Sequence, residues 1–96
     1  MKLSDAIARL EANRKELTAR GVGEVRIFGS VVRDEATKAS DLDLIVELTR
    51  EMGLFEFIGI QLFLEERLGT RVDIVTEDSI HPALKDRILA EAIHAA

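Results

Sequence analysis

The chain has 96 residues, 47% of them apolar and 32% charged, which supports a compact globular core and excludes the low-hydrophobicity profile of disordered chains. Thirteen Lys plus Arg against 18 Asp plus Glu give a net charge of −5, which opposes attraction to nucleic-acid phosphates, so no direct nucleic-acid binding is expected. There is no cysteine, which excludes disulfides, thiolate nucleophiles and Cys-ligated zinc, and the length leaves room for one domain over residues 1–96.

The opening, MKLSDAIARLEANRKEL, reaches charged residues too soon for a signal peptide, and no run approaches the ~20 apolar residues of a membrane span. The expectation is a cytoplasmic protein without membrane contact.

In chain order, Leu3, Ile7, Leu10 and Leu17 form the one-sided stripe of an amphipathic helix from Leu3 to about Ala19, with Ser4 placed to cap its start and Gly21 to end it. Glu24 to Phe28 alternates and predicts a short strand, broken by Gly29-Ser30. Ser30 to about Glu35 has the length of one or two helical turns, and Ala36 to Ser40 is polar loop. Asp41 to Leu48 is the clearest strand, with Leu42, Leu44, Val46 and Leu48 on one face and Asp41, Asp43, Ile45 and Glu47 on the other. Leu54 to Leu68 predicts a helix closed by Gly69, Arg71 to Val75 a third strand, and Pro82 the start of a last helix through Leu84, Ile88, Leu89 and Ile93.

The sum is a small α/β domain with a three-stranded mixed sheet and about four helices. The second and third strands, separated by a helix, can run parallel, whereas the short link between the first and second also allows an antiparallel pair.

On a strand, Asp41 and Asp43 point to the same face with Cα atoms roughly 6.5 Å apart, within reach of one shared divalent cation. Two anions so placed repel unless a cation or a proton joins them, and Mg²⁺ is typically held by one or two carboxylates together with substrate phosphates. Asp73 adds a third carboxylate within an apolar strand. Upstream, Gly29-Ser30 at a strand end allows the backbone to approach an anion such as phosphate closely.

Gly29-Ser30, Asp41-Leu42-Asp43 ten residues on and Asp73 in RVDIV together resemble the signature of the DNA polymerase β-type nucleotidyltransferase superfamily. Within it, the chain is similar over nearly its whole length to the minimal nucleotidyltransferases, or MNT proteins. The resemblance implies that Gly29 and Ser30 hold the triphosphate of a nucleotide and that Arg33 lies near the phosphates. It also implies that Asp41 and Asp43 bind two Mg²⁺ ions, and that Asp73 binds the catalytic metal and helps to deprotonate the attacking hydroxyl. Asp34 departs from the glycine that often follows that arginine and sets a negative charge beside the phosphates. Two cations would activate the attacking oxygen and stabilise the leaving pyrophosphate, so Ser30 serves as a phosphate ligand and not as a nucleophile.

Larger relatives carry acceptor-holding domains, whereas this sequence ends about twenty residues past its third carboxylate, so the acceptor is expected on another molecule. MNT proteins of this size resemble the antitoxin of two-gene systems whose toxin is a HEPN-domain ribonuclease, inactivated by transfer of AMP from ATP to one of its tyrosines. A binding module that neutralises its partner by covering it is the alternative, and transfer to a small molecule such as an aminoglycoside a further one. The helix from Leu54 to Leu68 is apolar around most of its circumference, as suits either a central helix or a partner surface. His81 reads as a helix-start residue, His94 as a terminal one, Lys38 as a loop lysine, and Glu65-Glu66-Arg67 as a solvated helix face.

Overall fold

The computed structural model describes residues 1–33 and 41–96. The expectations for Asp34 and Lys38, for the end of the helical turns at Glu35 and for the loop that follows lie outside the described residues.

The elements are α1 (Leu3–Ala12), α2 (Arg14–Ala19), β1 (Val22–Phe28), β2 (Leu42–Leu48), α3 (Leu54–Leu68), β3 (Val72–Val75), a short 3-10 turn (Glu77–Ser79), α4 (Pro82–Glu91) and β4 (Ile93–His94). The four strands form one sheet in the order β3-β2-β1-β4, with β2 and β3 parallel and β1 antiparallel to both β2 and β4. The α/β class and mixed sheet are therefore as expected, with four strands in place of three. The strand pairing that the sequence left open is antiparallel.

The differences have local causes. The expected N-terminal helix is two helices, because the Asn13 side chain donates to the Arg9 carbonyl at 2.8 Å and competes with the helical ladder. Lys2, not Ser4, sits at the N-cap. β1 starts two residues earlier than expected, and the register slips between Val22 and Val25. From Ser30 to Arg33 the described residues make a turn. The last helix ends at Glu91, and Ala92 is extended, so Ile93 is not helical but pairs with Ile27 in β4.

Other terminators behave as the sequence indicates. Gly69 closes α3 in the left-handed region at φ +68°, its N–H donating to the Glu65 carbonyl at 2.9 Å, and Pro82 opens α4 with the His81 ring accepting from Ala83 N–H.

One sheet face carries Val25, Ile27, Leu42, Leu44, Val46, Val72 and Ile74 into a core with Ala6 and Leu10 of α1, Leu17 of α2, and Ile60, Phe63, Leu64 and Leu68 of α3. The 3-10 turn and α4 pass over the opposite face, so the sheet separates an apolar layer from a cleft bearing acidic side chains. α3 contributes one side to the core, while Leu54 (70% exposed), Phe55 (90%) and Leu62 (60%) face outward with Ile58. No helix among the described residues is long and apolar enough to cross a membrane.

Candidate active site

β1 delivers the chain to Gly29, whose φ of +82° is costly for any residue with a side chain. The Gly29 carbonyl then accepts from the N–H groups of Val32 at 3.1 Å and Arg33 at 3.3 Å, which closes a single turn. Val31 is buried in the core and anchors that turn from below, leaving Ser30 partly exposed and Arg33 at the surface. Glycine is required here for space as well as for conformation. A Cβ at this position would overlap the Asp43 carboxylate.

Asp43 is the register partner of Phe28 on one side and of Asp73 on the other. Register partners on neighbouring strands share a face, so the Asp43 and Asp73 side chains stand together, away from the core. Burial, reinforced by the charges of Asp73 and Asp41, pushes the Asp43 carboxyl above its ordinary value of 3.8, and the Arg33 guanidinium pulls the other way. Asp41, just before β2, accepts from Arg71 Nε at 3.0 Å in an exposed pair.

A cleft of about 290 Å³ joins these parts. Its floor is Phe28, Gly29, Asp43 and Asp73, Arg33 stands at its rim, and its wall is one face of α4, with Leu84, Arg87, Ile88 and Glu91 at helical spacing. Glu91 closes one end. Its Oε1 accepts from Gly29 N–H at 3.1 Å and from Arg33 Nη1 at 2.6 Å.

The structure thus brings Gly29, Arg33, Asp43 and Asp73 into one cleft and leaves Asp41 beside it, turned to Arg71. No group of three His, Cys, Asp or Glu side chains among the described residues is placed to hold a metal ion. The donors that face the cleft still suit Mg²⁺. Asp43 and Asp73 are paired hard-oxygen ligands whose mutual repulsion a cation relieves, and Mg²⁺ takes most of its other ligands from phosphate and water.

Sequence reasoning missed Glu91 and Arg87. The signal for Glu91 was its place at the C-terminal end of α4, where the helix dipole disfavours an acid. Neither histidine lines the cleft: His81 caps α4 and His94 lies 3.4 Å from Glu24. Glu65 is not simply solvated, since it accepts from Val72 N–H at 3.1 Å and ties α3 to β3.

Residues 7–94 match the nucleotidyltransferase domain family, and the chain belongs to that family. It is 37% identical over 95 residues to the protein adenylyltransferase MntA of Thermococcus cleftensis, an alignment that covers 98% of this chain and 96% of that one. A solved chain described as a minimal nucleotidyltransferase superposes with a TM-score of 0.81 at 43% identity, covering 97% of this chain and 95% of the other. The fold alone is shared, at 16% identity and a TM-score of 0.68, with a structure of a tri-AMPylated Shewanella oneidensis HEPN toxin in complex with MNT antitoxin, covering 95% of this chain and 71% of that one.

Proposed function

We propose that residues 1–96 form a minimal nucleotidyltransferase domain that acts in the cytoplasm as an antitoxin. It transfers AMP from ATP to a tyrosine of a HEPN ribonuclease and so silences it. The observation that carries this reading is the placement of Gly29 and the Asp43–Asp73 pair in one cleft, an anion-accepting turn beside paired carboxylates. The likeness to MntA and to an MNT antitoxin bound to an AMPylated HEPN toxin supports both the reaction and the class of partner.

The Gly29-Ser30 turn and the Arg33 guanidinium take the triphosphate, with Arg87 on the facing wall adding positive charge. Asp43 and Asp73 would hold Mg²⁺, with Asp41 as a further ligand for a second ion. The chemistry supplied by metal held there would be charge neutralisation on the phosphates and a lowered pKa of the attacking hydroxyl. Asp73, the more exposed of the facing pair, takes the tyrosine proton on its carboxylate. The phenolic oxygen then bonds to the α-phosphorus as the bond to the bridging oxygen breaks, and pyrophosphate leaves in line. Leu84 and Ile88 keep that side of the cleft apolar and limit access of water.

The test is incubation with a HEPN partner, Mg²⁺ and ATP labelled on the α-phosphate. Label on a partner tyrosine that disappears with chelator or with Asp43→Asn is the expected result. An unlabelled partner, despite a stable complex, would remove the catalytic reading.

The exposed stripe of Leu54, Phe55, Ile58 and Leu62 favours a second reading, a binding module that needs no chemistry. In that case Asp43→Asn would neutralise the toxin as well as the wild type does.

A further inference from the structure

The Glu91 carboxylate occupies the donors that a phosphate would use. One oxygen of it accepts both the Gly29 N–H at 3.1 Å and the Arg33 guanidinium at 2.6 Å. The arrangement is not a loose surface pair, because the Glu91 side chain is only 20% exposed. It also does not follow from local sequence. The two partners lie 62 and 58 residues away, and the acid sits at the end of a helix whose dipole repels it. Asp43 and Asp73 line the same cleft, so a third acid is held there against two like charges. The turn at Gly29 therefore already binds an anion, supplied by the chain itself.

We propose that Glu91 is an intramolecular competitor for the triphosphate cradle and sets the affinity of the cleft for nucleotide. The inference rests on the reading that nucleotide phosphates bind at Gly29 and Arg33. A phosphate that arrives must take both donors from Glu91, and the displaced carboxylate is then a like charge next to it. A ligand with one or two charges gains little over the carboxylate it replaces. A triphosphate offers more oxygens to Arg33 and Arg87, and its bound cation relieves the repulsion between Asp43 and Asp73, so it offsets the exchange. Once pyrophosphate has formed, the return of Glu91 to Gly29 and Arg33 favours its departure.

The experiment is calorimetric titration of a non-hydrolysable ATP analogue with Mg²⁺, and separately of adenosine, into the wild type, Glu91→Gln and Glu91→Asp. Glutamine keeps the shape and removes the charge. Aspartate keeps the charge and withdraws the oxygen by one methylene, so it cannot hold both donors. The expected result is analogue binding about tenfold tighter in Glu91→Gln, as follows from exchanging a charge-assisted bond for a neutral one, with adenosine unchanged. Glu91→Asp shows a smaller gain in the same direction, and it serves alone should Glu91→Gln not fold.

Analogue binding that is unchanged or weaker in the variants would overturn the proposal while leaving the nucleotide site standing, and Glu91 would then be a brace that positions Gly29 and Arg33. Equal tightening for adenosine would overturn it too, since adenosine carries no phosphate to compete. Failure of the wild type and both variants to bind the analogue would dismiss the nucleotide reading itself, and the competitor with it.

Discussion

Asp43 and Asp73 are partners in register across the parallel pair β2 and β3, which places two carboxylates side by side on a sheet face that contributes little else acidic to the cleft. The ligand-free fold bears the cost of burying Asp43 and, added to it, of that repulsion, and the cost is open to test.

Replacing Asp43 by Asn should raise the melting temperature of the ligand-free protein at neutral pH while abolishing transfer. The sign follows from linkage. A carboxyl whose pKa lies above 3.8 in the folded state binds more protons folded than unfolded in that window, so stability falls as pH rises through it. The penalty is complete above the folded pKa and absent below about 3.8. The stability advantage of Asp43→Asn over wild type should therefore shrink as pH falls from 7 to 3, measured by thermal melts in parallel. A constant difference would show that Asp43 is not under this strain.

Asp73 is exposed, so Asp73→Asn should stabilise the ligand-free protein only slightly, by at most about 0.5 kcal/mol, as its repulsion of Asp43 is relieved. Loss of the proton acceptor should lower the transfer rate roughly 100-fold or more. Single-turnover transfer at saturating ATP, followed against pH, separates this from weaker binding.

Gly29→Ala meets two obstacles at once, a positive φ and overlap with the Asp43 carboxylate. It should cost on the order of 1–2 kcal/mol from the backbone alone and displace Asp43 from the cleft. Chemical denaturation and nucleotide titration should both register the change. The double variant with Asp43→Ala should recover part of the stability and none of the activity.

The core under α3 should respond as a packed interior. Leu64 is fully buried between α3 and the sheet, and Leu64→Ala should cost about 2–5 kcal/mol in urea unfolding. Phe55→Ser, at a position 90% exposed, should leave stability within about 0.5 kcal/mol.

The sequence revealed the floor of the site better than its wall. Gly29, Asp43 and Asp73 are marked by short-range signals: a glycine at a strand end, and acids at alternate positions of apolar strands. Asp41 shows the limit of such signals, since the spacing puts it on the face of Asp43 but does not foresee Arg71, 30 residues later, drawing it aside. Glu91 and β4 were hidden for a related reason. Ile93 fits the apolar period of a helix, and only its pairing with Ile27, a contact between distant parts of the chain, shows that the helix has ended. The break at Asn13 was hidden for the opposite reason, as a local side-chain bond overrode a regular stripe that continued across it.

The pairing of β4 with β1 also bears on the order in which the site comes into being. The amides of Ala95 and Ala96 both donate to the Val25 carbonyl, and Ala96 accepts from Val25 N–H at 2.8 Å, so β1, which leads into Gly29, gains its second neighbour among the described residues from residues 93–96. On a ribosome the Asp43–Asp73 pair can form as soon as β3 has emerged, whereas the α4 wall gains its β4 fastening only when residue 96 has cleared the exit tunnel. A nascent chain would therefore carry its acids early and its cleft late.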